Sequence, residues 1–195
     1  MTDDESNLFR ASMSDVIPLH GEKSACTVTT SVSSAQQYRF KQTQRRTLLA
    51  DLTVDIQQVE AILPEAVIDY RCEGVQGSVF RLFKQGQYPM QATLDLRGLT
   101  VQHAREALVD YIDICIKQNF RNVLVIHGTG VHNKPIPALI KSFLAHWLQH
   151  IETVKAYHSA IKSLGGNGAL MLMLAKSEQA KADTRELTRK GANIR

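Results

Sequence analysis

The chain predicts an α/β fold, a two-layer sandwich in the order β-α-β-α-β-β, and three observations carry that expectation. Short apolar runs of strand length recur at Ala92–Leu96, Asn122–Ile126, Val154–His158 and Leu170–Leu174 within the 195 residues. Between the first three lie segments whose apolar residues return at steps of three and four, the period of a helix with one buried face. Glycines punctuate the strand ends, at Gly98, at Gly128 and Gly130, and in Gly165-Gly166-Asn167-Gly168 before the last run.

Each element follows from its residues. Ala92-Thr93-Leu94-Asp95-Leu96 alternates, which places Leu94 and Leu96 on one face of a strand and Asp95 and Arg97 on the other. Thr100 can cap the next helix, with Val101, Ala104, Leu108, Tyr111, Ile112 and Cys115 along its inner face. The second strand, Asn122–Ile126, runs directly into His127-Gly128-Thr129-Gly130. Pro135 or Pro137 can open a second helix reaching about Gln149, with Ile140, Phe143, Leu144 and Trp147 inward. Right-handed crossovers make the first three strands parallel and put both helices on one face of a four-stranded sheet.

Four regions result. Residues 1–36 lack apolar periodicity and read as a disordered tail, since so polar a segment cannot bury enough surface to offset its ordering entropy. Residues 37–91 read as a helical N-terminal extension interrupted at Pro64, in which Val79, Leu82 and Phe83 share a helical face. Residues 92–176 form the compact domain, and 177–195 a charged C-terminal helix or tail.

Composition excludes several classes. At 44% hydrophobic residues the chain is not wholly disordered. The longest strongly apolar stretch, Ala169–Ala175, falls far short of the roughly 20 residues of a membrane-spanning helix. The acidic start Met1-Thr2-Asp3-Asp4-Glu5 is unlike a secretory signal, so a cytoplasmic location is expected. Cys26, Cys72 and Cys115 are odd in number and widely spaced, which fits neither a disulfide framework nor a zinc site. Charge is uneven: residues 1–88 hold nine basic and eleven acidic residues, residues 89–195 fourteen and eight. A polyanionic partner is plausible for the second half, and a merely solvated basic surface is its rival.

The residues with chemistry gather at the strand ends, where open α/β sheets hold ligands. Gly128 and Gly130 let a backbone approach a phosphate, and the following helix offers unpaired N–H groups. His127 can transfer a proton near neutral pH, Arg97 can hold a phosphate with its planar fork, and Asp95 can orient the imidazole or hold a divalent metal. Those are parts for phosphodiester chemistry. Asp95 and Arg97 can equally be a structural pair, His127 a hydrogen-bonded strand-end residue, and Gly165–Gly168 an ordinary connection. His146 and His150 lack a third ligand and read as a solvated helix edge.

Leu94-Asp95-Leu96-Arg97-Gly98-Leu99-Thr100, then Val125-Ile126-His127-Gly128-Thr129-Gly130, then Gly165-Gly166-Asn167-Gly168-Ala169, resemble the Smr (small MutS-related) domain across residues 92–176. Gly74-Val75-Gln76-Gly77 through Gln87-Tyr88-Pro89 is similar to the extension of stand-alone bacterial Smr proteins of the SmrA type. The resemblance implies a four-stranded α/β sandwich, nucleic-acid binding and, in many members, metal-assisted cutting of DNA or RNA. One position departs: where the family commonly has Leu-Asp-Leu-His-Gly, this chain has Arg97, which stays protonated and cannot be a general base or an ordinary metal ligand.

The expected protein is thus an endonuclease acting on DNA, with Mg2+ or Mn2+ assisting. Asp95, Arg97 and His127 are its expected catalytic residues, with Asp95 the metal ligand. Gly98, Gly128, Thr129, Gly130, Lys134, Lys141, Gly166 and Gly168 are expected to contact phosphate or nucleic acid. Two rivals keep the fold: an RNA endonuclease in which His127 activates a 2′-hydroxyl without metal, and a non-catalytic nucleic-acid adaptor.

Overall fold

The computed structural model describes residues 33–176 and residue 186, so the expected tail over 1–32 and the C-terminal segment, apart from Glu186, lie outside the described residues. In chain order the elements are helix α1 (Ser34–Asp51), strand β1 (Asp69–Arg71), helix α2 (Gly77–Lys84), strand β2 (Ala92–Asp95), helix α3 (Val101–Lys117), strand β3 (Asn122–Ile126), helix α4 (Leu139–His150), strand β4 (Val154–Ser159) and strand β5 (Ala169–Leu174). The α/β sandwich is as expected from the sequence. Helix α1 starts before Gln37, where the sequence still read as tail.

The sheet has five strands in the order β1-β4-β5-β3-β2. Strands β2 and β3 pair in parallel, and β5 runs antiparallel between β3 and β4, which leaves β2, β3 and β4 pointing the same way. The fifth strand comes from the extension: Asp69, Tyr70 and Arg71 pair antiparallel with His158, Tyr157 and Ala156. Three residues give too short an alternation to be recognised in sequence, and the partner strand creates the element.

Both sheet faces are covered. On one, α3 and α4 bury Leu108, Ile112, Phe143, Leu144 and Trp147 against Val123, Val125, Leu170 and Leu172. Thr100 caps α3 by accepting the His103 N–H, as its residue type predicts. On the other face α2 sets the fully buried Phe83, with Val79 and Phe80 beside it, against Leu124, Met171 and Met173. Leu82, assigned inward from the sequence, is 42% exposed; Phe80 takes that side instead.

The extension is therefore a structural part of the domain. Trp147 is wholly buried and its indole N–H finds the carbonyl of Thr53 at 2.7 Å, while Arg105 donates to the carbonyls of Leu49 and Leu52. A buried indole N–H without such a partner would carry its full desolvation cost, so the contact adds to the apolar packing of Leu52 and Val59 in tying the extension to the core. Helix α4 begins at Leu139, later than either proline allowed. Ala138 before it adopts a left-handed conformation, φ 50°, which a helix interior excludes.

Candidate functional site

The strand ends that carry the expected chemistry are neighbours. Asp95 lies opposite Ile126 in the β2/β3 register, and the Leu96 N–H donates to the Ile126 carbonyl at 2.8 Å. Carrying that register one residue further sets His127 level with Leu96 and Gly128 level with Arg97. Leu96 is fully buried in the helix-covered core and Ile126 packs on the opposite face, so alternation turns His127 inward and Asp95 and Arg97 outward.

On the outer arm Arg97 and Asp95 are engaged with each other. Nε of Arg97 lies 3.0 Å from both carboxylate oxygens, Nη2 donates to Oδ2 at 2.6 Å, and the Arg97 backbone N–H donates to Oδ1 at 3.0 Å. These hydrogen bonds, the side-chain ones foremost, hold the Asp95 carboxyl down at about 2. The Arg97 side chain is 63% exposed, and its stem lies over the loop after β3. A Cβ at Gly128 would stand 3.4 Å from Arg97 Cγ, and Gly128 has φ +77°, so a side chain here would be strained and crowd the arginine.

On the inner arm His127 is buried, with 5% of its surface exposed. Its Nδ1 lies 2.7 Å from the Gly128 carbonyl, an acceptor only, so Nδ1 carries the hydrogen and Nε2 keeps the lone pair. That Nε2 is buried without a hydrogen-bond partner among the described residues. Burial pushes the imidazole down to about 4, and the Lys141 charge acts in the same direction. Asp95 does not orient this ring: its bonds go to Arg97. A protonated His127 serving as general acid is likewise unsupported at neutral pH.

The loops close around these arms. The Gly168 carbonyl accepts the backbone N–H of His127 at 3.0 Å and of Gly128 at 2.8 Å, and a Cβ at Gly168 would sit 3.5 Å from the Gly128–Thr129 peptide. The glycine-rich segment before β5 is thus built against the His127 loop. Gly130 has φ +59° and its carbonyl accepts the Ala138 N–H at 2.8 Å, bringing the start of α4 beside the loop. Thr129 and Asn167 line a shallow groove of about 210 Å³ with Pro64, Glu65 and Val131. Gly98, next to Arg97, and Gly166, next to Asn167, have open space where a Cβ would stand, and Lys134 is exposed on the connection to α4.

Lys141 is a correction. It was expected on a basic surface track, yet it is 1% exposed and its Nζ donates to the carbonyls of Leu63, Pro64 and Ala66 at 3.3, 2.8 and 2.5 Å. It lies on a helix buried nearly all round, between Ile140 and Leu144, and that apolar context was the available sequence signal. Asn167, Glu65 and Ser142 also went unassigned; their parts are contacts to residues distant in sequence.

No group of three His, Cys, Asp or Glu side chains able to hold a metal exists among the described residues, and both Asp95 oxygens receive Arg97. A resident Mg2+ or Mn2+ held by protein ligands does not fit this arrangement. No helix among the described residues is long and apolar enough to cross a membrane.

Comparison with known proteins locates the arrangement. The Smr domain family model matches residues 94–175, and the Escherichia coli (strain K12) protein named "Probable DNA endonuclease SmrA" is 32% identical over 94% of this chain and 95% of its own length. The chain belongs to the Smr domain family. A stand-alone small MutS-related protein of Escherichia coli, YdaL, has a crystal structure similar to this Smr fold, with TM-score 0.58 and 32% identity, covering 68% of this chain and 99% of that one. The Aeromonas hydrophila protein named "Ribosome rescue factor SmrB" is 26% identical over 89% of this chain and 94% of its own length. Both sequence relatives match this Smr protein well beyond residues 94–175, consistent with an extension that is part of the fold.

Proposed function

We propose that this Smr protein is a nucleic-acid endonuclease that cuts phosphodiester bonds, with DNA as the first substrate to test. One observation carries the reading: an exposed arginine, held by a carboxylate, lies across a glycine loop at the ends of two parallel strands. That geometry presents a fixed positive fork and close backbone to a phosphate. The relative named as a probable DNA endonuclease supports the same substrate class.

In this reading Arg97 holds the scissile phosphate, Asp95 fixes the guanidinium plane, and Gly128 and Gly130 admit the phosphate to the loop. Neutral His127 supplies Nε2 as acceptor of the proton of the attacking hydroxyl or water once it reaches the ring, the P–O bond to the leaving oxygen breaks as the new one forms, and that oxygen takes its proton from the imidazolium so formed or from solvent; the loop is the element that must yield. RNA is the second reading, favoured by the relatives named for ribosome rescue, since the ribosome is an RNA particle.

The deciding experiment incubates the full chain with supercoiled plasmid and with structured RNA, with and without chelator, beside His127→Ala. Cutting of plasmid by the parent and not by the variant supports the DNA reading, and its loss on chelation would restore the Mg2+ or Mn2+ requirement expected from sequence, the ion then arriving with the substrate. Metal-free cutting of RNA alone supports the second reading. Binding without cutting of either substrate would replace both with an adaptor role.

A further inference from the structure

Lys141 is a buried cation whose hydrogen-bond partners come from another part of the chain. Its three carbonyl acceptors, on Leu63, Pro64 and Ala66, lie 75 to 78 residues earlier in sequence. Two further contacts secure the same segment: the Ser142 hydroxyl accepts the Ile62 N–H at 3.0 Å, and the Asn167 amide donates to the Glu65 carbonyl at 2.8 Å. Residues 62–66 have no regular partner strand, so these side chains satisfy much of their backbone.

The segment so held faces the site. Pro64 and Glu65 form one wall of the groove whose other wall includes Thr129 and Asn167. Thr129 belongs to the His127 loop, and Asn167 to the turn whose Gly168 carbonyl holds that loop. We propose that Lys141 is a positioning residue of the candidate site, its ammonium holding residues 63–66 against the His127 loop so that the extension forms the second wall of the groove. This rests on the Smr site described above, though its test does not need cleavage.

The ammonium also acts on the imidazole. Burial holds His127 below the ordinary histidine value and the Lys141 charge acts in the same direction; burial also lowers Lys141 itself, and Glu65 is the carboxylate that opposes this. Buried charges persist where they are paired or richly hydrogen-bonded, and three carbonyls supply that here. A methionine keeps much of the stem's volume but neither the charge nor the donors.

The test uses the full chain with Lys141→Met, Lys141→Arg and Lys141→Gln. Amide hydrogen exchange should accelerate at least about tenfold in Lys141→Met at Ile62 and Ala66, the amides of the segment that find acceptors, on Ser142 and Leu63, while β3 and β5 keep their protection. His127 should titrate at higher pH in the same variant, and Lys141→Arg should return it toward the parent because it restores the charge. Unchanged exchange at Ile62 and Ala66, or an unmoved His127 titration, would overturn the proposal. Should Lys141→Met fail to fold, Lys141→Gln decides, since it removes the charge and leaves one short amide donor: faster exchange at Ile62 and Ala66 supports the held wall, and none refutes it. Loss of nuclease activity plays no part in these readouts, so failure of the endonuclease reading leaves them interpretable.

Discussion

The ends of β2 and β3 hold the two halves of the candidate site in opposite physical states. Asp95 and Arg97, at the end of β2, are exposed, fully charged and hydrogen-bonded to each other. His127, at the end of β3, is buried and neutral with an unpaired Nε2. The adjacent strands place them near one another while the pleat sends their side chains to opposite faces. In the proposed function, recognition of a charged ligand belongs to the outer arm, where charge is already hydrated and ordered. Any proton transfer by the inner arm needs the loop to open.

Substituting the inner arm should have the largest effect. His127→Ala should reduce cleavage by about 10² to 10⁴ while binding falls much less, as measured by single-turnover cutting and by equilibrium binding on the same substrate. His127→Asn separates the two roles open to the ring. Its amide can still donate to the Gly128 carbonyl but offers no basic nitrogen. Recovery of near-parental cutting by His127→Asn would assign His127 to holding the loop.

The outer arm should come next. Arg97→Ala should lose about 10² to 10³ in cutting rate, the range for removing one donor to a charged transition state, and Arg97→Lys should recover only part because an ammonium lacks the planar fork. Parental rates should be flat in pH from about 5.5 to 8, since Asp95 sits near 2 and His127 near 4. Arg97→His should introduce a dependence near neutrality, with activity falling as its imidazolium deprotonates. Parental binding and cutting by Arg97→Ala would remove the phosphate-holding role.

The same contrast explains what could be read from sequence. Alternation in Ala92–Leu96 and the three- and four-residue steps of Val101–Cys115 are local, and they specified strands, helix faces and the Thr100 cap. The glycines at 128 and 130 declared a special loop because no other residue accepts that backbone at low cost. The inward turn of His127 was present in the register but needed the pairing of Asp95 with Ile126 to become visible. Lys141 was misplaced for a different reason: lysine belongs at the surface unless acceptors surround it, and its acceptors arrive from residues 63–66 only in the folded chain.

Acid should distinguish the arms in the protein's stability. A histidine held near 4 when folded and near 6.5 when unfolded binds fewer protons in the native state. Its effect on stability is absent as a penalty above about pH 6.5, grows as pH falls, and is complete below about 4. The difference corresponds to about 3 kcal/mol. Denaturant unfolding at pH 7, 5.5 and 4.5 should show parental stability falling more than that of His127→Asn, which has no such proton to bind. Asp95, exposed and paired, titrates below that window and should leave it unchanged. Equal losses in both proteins would place the acid sensitivity elsewhere.

The smallest expected effect comes from the lysines, and it separates surface from interior most directly. Lys134 is exposed on the connection between the His127 loop and α4, whereas Lys141 is buried with three carbonyls. If Lys134 contacts a backbone phosphate, Lys134→Ala should weaken nucleic-acid binding across sequences and flatten the plot of log affinity against log salt by about one unit. Lys141→Met should leave that slope unchanged, because the charge it removes meets protein carbonyls and releases no counterions from the nucleic acid. A slope that responds to Lys141→Met and ignores Lys134→Ala would mean that the 63–66 segment lifts away on binding and exposes the α4 surface to the polyanion. The contrast between a recognising outer arm and a sealed interior would then hold for the free protein alone.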